Sequence, residues 1–159
     1  IESKDIGGLL QAHRLASPLK RQAIQARILS LYDSTKDYGT IIGALDHRSS
    51  TTQALAVEVL VAKMERRAVD KLLEILQDDG READTKAALA RSFRVFPRKA
   101  AIPRLIELTD KAEEHEVRKS AHDTLADILS MGATIKFGDA MHQNWIEWWR
   151  DHSAGVKLP

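Results

Sequence analysis

Cysteine is absent from the 159 residues, which removes disulfide frameworks and thiol chemistry together. That absence fits a reducing or an oxidising compartment equally. Aromatic residues are scarce at 5%, and runs of β-branched residues are short, so the Ala- and Leu-rich composition favours helix over strand. Charge of one sign is lacking too. The 24 Lys and Arg against 23 Asp and Glu leave a formal net charge of +1, which gives no global pull toward nucleic acid or an anionic membrane. Any such role must rest on a local patch. No apolar run approaches the ~20 residues needed to cross a bilayer, and no charged-then-apolar leader stands at the front. The chain opens on Ile1 rather than Met, which reads as a processed chain or an excised domain. The balance favours a soluble cytoplasmic protein over an exported one, with no membrane partner.

What is present is ordinary for a globular protein, at 43% hydrophobic and 30% charged residues, but it is organised by repetition. Between Arg67 and Gly132 the sequence says nearly the same thing twice, about 33 residues apart. Ala68-Val69-Asp70-Lys71-Leu72-Leu73-Glu74-Ile75 is echoed by Ala101-Ile102-Pro103-Arg104-Leu105-Ile106-Glu107-Leu108. Further on, Lys86 falls on Lys119, Ala88 on Ala121, Val95 on Ile128 and Phe96 on Leu129. Val69, Leu72, Leu73 and Leu76 stand at i, i+3, i+4 and i+7, one apolar stripe of a helix. Gly80 is placed to take the left-handed conformation that ends a helix and returns the chain. Ile102, Leu105, Ile106 and Thr109 repeat the stripe, with Pro103 in the first turn. Val117, Ala121, Leu125 and Ile128 give the returning helix its inner face. One such hairpin cannot cover its own apolar side, whereas stacked neighbours share a core.

Ala101-Ile102-Pro103-Arg104-Leu105-Ile106, followed by Glu116-Val117-Arg118, Ala121 and Leu125, resembles the HEAT-repeat family in its short bacterial form. The first copy departs from that pattern, with Asp84-Thr85 where Val-Arg would fall. The resemblance covers about half the chain. It implies an α-solenoid of antiparallel helix pairs, usually a binding scaffold and less often an enzyme.

The remaining pattern extends the same theme in both directions. Ile6, Leu9, Leu10 and His13 share a helical face. Ser17-Pro18 starts a helix to about Tyr32, striped by Ile24, Ile28 and Leu31. Ser34 to Asp37 looks like another start, with Tyr38, Ile41, Ile42 and Leu45 following at helical spacing. The stretch Gln53 to Met64 is apolar almost all round and reads as a buried central helix. Pairing gives 4–16 with 18–33, 36–46 with 50–64, 67–78 with 82–96, and 100–112 with 114–131. After Gly132 comes a short link, then a helix capped by Asp139 and ending near His152. On it Met141, Trp145, Trp148 and His152 share a stripe flanked by Trp149. Three rings so close together read as a cap over the last hairpin, and Trp-x-x-Trp-Trp is similar to the endings of some bacterial HEAT proteins.

Chemistry is thinly signalled. Lys86, Arg91, Arg94, Arg98, Lys99 and Arg104 lie between Asp84 and Glu107 with no acid among them, and Arg91, Arg94 and Arg98 are expected to share a solvent-facing flank. Acids of the neighbouring repeat, among them Glu113, Glu114 and Asp127, would pair with such a face. The alternative use is an anion or phosphate site built from guanidinium forks. No aromatic interleaves the exposed basic residues, so base stacking is not signalled. His115-Glu116 resembles the His-Glu pairs of HEAT-repeat deoxyhypusine hydroxylases, whose di-iron site needs several pairs. Here there is one, so no metal is expected. His122 flanks the inner stripe and reads as a packing or hydrogen-bonding residue. Glu58 is a candidate buried base that more readily points outward or meets an arginine. No nucleophile elbow, phosphate loop or paired catalytic carboxylates occur. Residues matching phycobilin lyases or alkylpurine DNA glycosylases, other HEAT-fold families, are not found.

The sequence is therefore read as all-α: a right-handed α-α superhelix (solenoid) of about four HEAT-like helical hairpins plus a Trp-rich C-terminal capping helix. It is taken as one domain over 1–159, with the clearest repeats at 67–98 and 100–132 and the cap at 133–152. The expected role is a protein–protein interaction scaffold, not an enzyme and without cofactors. Its inner helix row and a basic surface of Arg91, Arg94, Arg98, Lys99 and Arg104 would meet another protein, with Trp145, Trp148 and Trp149 as structural cap. Nucleic-acid or polyanion binding through the same arginines is the alternative.

Overall fold

The structure, a computed structural model, describes residues 5–132 and 134–159. Among these there are nine α-helices and no strand: α1 (Ile6–Leu15), α2 (Pro18–Leu31), α3 (Ser34–Ala44), α4 (Ser50–Ala62), α5 (Val69–Leu76), α6 (Ala83–Val95), α7 (Ile102–Glu107), α8 (His115–Ile128) and α9 (Met141–His152). The predicted start of the first helix at residue 4 and of the cap at residue 133 lie outside the described residues. The chain falls into two compact units that divide between Ala68 and Val69. Helices α1 to α4 build the first and α5 to α9 the second.

The element order is periodic. Helices α2, α4, α6 and α8 begin at Pro18, Ser50, Ala83 and His115, at nearly constant intervals of one repeat. Short 3-10 turns at Arg66–Ala68 and Lys99–Ala101, again one repeat from each other, lead into α5 and α7. Local chemistry sets several boundaries. Pro18 opens α2 behind Ser17, where a missing N–H costs nothing. Asp5 caps α1, its carboxylate accepting from the Gly8 N–H at 2.6 Å. Asp33, rather than the Ser34 to Asp37 stretch, caps α3: it accepts from the Thr35 N–H at 2.9 Å, while Asp37 reaches back to the Asp33 N–H at 2.8 Å. Asp139 does not cap α9, whose N-cap position is Ala140 without a side-chain bond. Helix α7 stops at Glu107, short of the predicted 112. The Thr109 hydroxyl and N–H both turn back onto the Ile106 carbonyl, at 2.6 and 3.0 Å, which tightens the chain out of α-helical register.

Helix termination differs from the expectation at Gly80, which does not adopt positive φ; Asp78 instead accepts from its N–H at 2.9 Å. The left-handed positions are Met64 (φ 52°) and Ser130 (φ 55°). Each ends a helix in a Schellman motif: Glu65 N–H to Leu60 O at 2.9 Å with Met64 N–H to Val61 O at 3.0 Å, and Met131 N–H to Ala126 O at 2.9 Å with Ser130 N–H to Asp127 O at 3.3 Å. The position midway between them is Pro97, whose ring locks φ at a negative value and forbids that turn.

Within each unit the second helices lie side by side and parallel. Gln25 on α2 donates to Glu58 on α4 at 2.8 Å, and Tyr32 donates to Glu65 at 2.7 Å, each pair one repeat apart. In the second unit Lys86 meets Glu113, Arg91 meets Glu116 and Ser120, the Thr124 hydroxyl donates to Ala90 O, and Arg94 meets Asp127. Residue numbers rise together along α6 and α8, so the two run in the same direction. Leu89 and Phe93 on α6 and Val117, Ala121 and Leu125 on α8 are buried, as are Leu72 of α5 and Leu105 of α7. Each such large side chain stabilises the fold by roughly 1.5–3 kcal/mol. The first unit closes over Ile28, Ile41, Leu45, Val59 and Leu60 in the same way.

A left-handed β-carbon costs about 1–2 kcal/mol, of which glycine's extra unfolded-state entropy offsets about 0.5–1 kcal/mol. Met64→Gly and Ser130→Gly should each therefore raise stability by up to about 1 kcal/mol, read as an upward shift of the denaturant midpoint at unchanged slope. Pro97→Gly should produce no such gain.

Candidate functional site

The basic stretch sits where α6 passes along α8, and the structure shows what occupies its charge. Arg91, half-exposed, places Nη1 3.1 Å from Glu116 Oε1 and 3.0 Å from Ser120 Oγ. Arg94 reaches Asp127 at 3.4 Å and the Asp123 carbonyl at 3.1 Å. Lys86 is held by Glu113 at 2.9 Å. The acids of the following repeat thus neutralise the upper part of the patch, and the exposed Arg91 and Arg94 pairs contribute about 0–1 kcal/mol each. Arg98 donates only to the neighbouring Pro97 carbonyl, at 3.1 Å. The Lys99 backbone N–H donates to Pro159 O at 2.7 Å, and no carboxylate among the described residues pairs with either side chain. Uncompensated positive charge is therefore concentrated at Arg98 and Lys99, at the turn after α6.

Arg104 does not share that flank. It is 7% exposed, and its guanidinium is divided among the Leu76 carbonyl at 2.9 Å, Glu107 at 2.9 Å and Asp79. Burial alone would lower its pKa; the hydrogen bonds to Glu107 and Asp79 outweigh this and raise it. Its sequence position near the other arginines is a consequence of the turn, whereas its side chain ties α7 to the end of α5. It is a structural residue, not part of a surface that a partner could reach.

Phe137, in the link after α8, packs beside other cations, those of α8 itself. The Phe137 ring packs edge-on against His115 (5.3 Å between centroids) and His122 (5.8 Å). Lys119 Nζ and the Arg118 guanidinium lie 5.2 and 5.8 Å from its centre, within cation–π range. Arg118 and Lys119 of α8 thus have an aromatic beside them, which left no signal in spacing because Phe137 lies in irregular chain beyond the end of α8.

Of the three tryptophans, only Trp145 enters the core. It is 0% exposed and its indole N–H donates to His122 Nδ1 at 3.1 Å. Trp148 meets it edge-on at 6.3 Å and stacks on His152 at 4.7 Å, while Trp148 and Trp149 stay half-exposed. His142 fastens the start of α9 to α7 through Ile106 O at 3.0 Å. Accepting from Trp145 fixes His122 with its proton on Nε2, and burial lowers its pKa. His13 is lowered for the same reason, with Arg21 adding to it.

A buried carboxylate went unread in the sequence. Glu65 is 6% exposed and accepts from Tyr32 Oη at 2.7 Å, Arg67 Nε at 3.1 Å and Ser34 Oγ. Burial alone would raise its pKa, but these three donors hold it below the usual carboxylate value. The Tyr32 hydroxyl is pushed up by burial and by this acceptor. Arg67 completes the group by lying 3.5 Å over the Tyr38 ring. The left-handed turn at Met64 is what aims Glu65 inward. A signal was available, since Tyr32 and Glu65 are one repeat apart.

Two cavities are of ligand size. One, about 460 Å³, is largely apolar and lies between α7 and α9, lined by Pro103, Ile106, His142, Ile146 and Trp149. The other, about 440 Å³, lies in the first unit between α1 and α3. Neither is lined by Glu58 or His122, and Glu58 is instead engaged by Gln25. No group of three or more His, Asp or Glu placed to hold a metal occurs among the described residues, and no helix among them is long and apolar enough to cross a membrane. Compared with known proteins, the chain matches no family model, and no curated protein matches it.

Removing the Glu65 carboxylate strands two hydroxyls and an arginine. Glu65→Ala should cost about 2–3 kcal/mol and Tyr32→Phe about 1 kcal/mol, measured by urea unfolding.

The histidines set a pH dependence. In the unfolded chain His122 and His13 take up protons as pH falls past 6.5, whereas in the folded chain they resist. Their contribution is complete above pH 6.5 and is lost as pH falls through the lowered folded values. The urea midpoint should drop between pH 7.5 and 5 by a larger amount in the parent than in His122→Gln, which can still accept from Trp145.

Proposed function

We propose that the chain is a right-handed α-solenoid of about four HEAT-like hairpins closed by α9, and that it acts as a scaffold for another protein. The contact surface is the row of second helices, with half-exposed Arg91 and Arg94 leading to Arg98 and Lys99. The observation that carries this reading is the one-repeat spacing of the bonds between second helices, seen in both units. Such side-by-side rows spread contact surface over many residues without a catalytic constellation. The partner best suited to this row is acidic where it meets Arg98 and Lys99.

A polyanion is the second reading, favoured by Phe137 among Arg118, Lys119 and His115, since a ring beside cations can stack a base. The pairing of Arg91 and Arg94 with Glu116 and Asp127 weighs against it.

A photo-crosslinking side chain at Arg94 or Lys99, used in extract of the native host, separates the two. A discrete adduct that saturates, survives nuclease and disappears in Lys99→Glu is expected. Equal labelling from Asp70, on the α5 surface, would overturn the scaffold reading. A nuclease-sensitive adduct, with a single-stranded probe bound at roughly 50 mM salt and released by Phe137→Ala, would replace it with the polyanion reading.

A further inference from the structure

The cavity in the first unit is walled by two matching helical faces. Gly7, Leu10, Gln11 and Arg14 of α1 stand at i, i+3, i+4 and i+7, and Thr40, Gly43, Ala44 and His47 repeat that spacing along α3 and just past its end; Arg48 and Thr52 complete the lining. The gap has a cause in the sequence. Gly43 carries no side chain and Ala44 only a methyl group on the α3 wall. A β-carbon built on Gly43 meets nothing within 4 Å. Small residues have thus left this space open.

The charged side chains that line this space, Arg14 and Arg48, are both cationic. Among the described residues no carboxylate lines the cavity, and none pairs with Arg14 or Arg48. His47 Nδ1 accepts from the Ser49 N–H at 3.0 Å, which puts the proton of the neutral ring on Nε2. The last carbonyls of α3 are taken by the Leu45, Asp46 and His47 N–H groups, and the Asp46 carboxylate is not part of the lining. Thr52, in the first turn of α4, is 3% exposed and its hydroxyl has no hydrogen-bond partner. A buried orphan hydroxyl is costly and rare. It sits beside the positive end of a 13-residue helix whose N-cap residue, Ser49, makes no side-chain cap bond.

We propose that this cleft binds a small organic anion, its phosphate or carboxylate group held between the Arg14 and Arg48 guanidiniums, with the Thr52 hydroxyl and His47 Nε2–H as further partners. Guanidinium pairs suit such oxyanions, and about 440 Å³ is the size of a small-metabolite site. Leu10, Gly43 and Ala44 supply the apolar contact for the remainder of the ligand.

The test is titration of the full chain with ribose 5-phosphate and, separately, citrate at matched ionic strength, followed by calorimetry and by backbone amide shifts. Saturable binding of one to one stoichiometry by either probe, with shifts around Gly43 and Thr52, is expected, and the probe that binds identifies the head group as phosphate or carboxylate. Gly43→Leu, which fills the space but leaves every charge, should weaken binding by about tenfold or more, as should Arg14→Gln with Arg48→Gln. Thr52→Val should weaken binding while raising the thermal midpoint of the free protein, a pairing of effects that a packing role alone would not give. Should Gly43→Leu fail to fold, the arginine variants at exposed and half-exposed positions carry the decision. Non-saturating responses to both probes, shifts centred on Arg98 and Lys99, or binding undiminished in the variants would overturn the proposal.

Discussion

Each helix of this protein is too short and too one-sided to stand alone, and the fold depends on what lies beside it one repeat away. The parallel contact of α6 with α8 is the fullest instance. Leu89, Phe93, Ala121 and Leu125 are removed from water there, and the rim is sewn by Lys86–Glu113, Arg91–Glu116 and Arg94–Asp127. The apolar interior supplies most of the stabilisation. The exposed rim pairs add little energy. Arg104 shows the same logic turned inward, joining α7 to the end of α5 through Leu76 O, Asp79 and Glu107.

The repeat and the helix content were legible because they rest on local periodicity, which a single chain displays openly. Ile102, Leu105 and Ile106 are buried as their stripe requires, and Ser17-Pro18 starts α2. Less could be read where two non-local segments decide the outcome. Arg104 looked like surface because its neighbours in sequence are; only the backbone path past Leu76 and Asp79 reveals where its side chain goes. Phe137 lay in a stretch without periodicity, so its packing on His115 and His122 left no trace in spacing. Gly80 carried a correct composition signal for a turn and the wrong conformation, since the Asp78 carboxylate offered its N–H another partner. Met64 and Ser130 assumed left-handed geometry despite having β-carbons, which propensity alone would not choose.

The candidate surface likewise divides into legible and illegible parts. That Arg91 and Arg94 face solvent follows from helical phase, and that acids of the next repeat would meet them follows from counting roughly one repeat ahead. How much charge remains after pairing does not follow from counting. It depends on which carboxylates reach, and here Arg98 and Lys99 are passed over. The cleft between α1 and α3 leaves only a faint trace in sequence, the small residues Gly43 and Ala44 near the end of α3.

The unequal burial of the three tryptophans gives the molecule a built-in optical gauge. Trp145, sealed from water and bonded to an imidazole, emits from a different environment than half-exposed Trp148 and Trp149. Lifting the terminal helix off its neighbours would change the surroundings of Trp145 most, from sealed to wet. A colour change in intrinsic fluorescence therefore reports undocking of that end specifically, before the rest of the chain loses its helices, with no label attached.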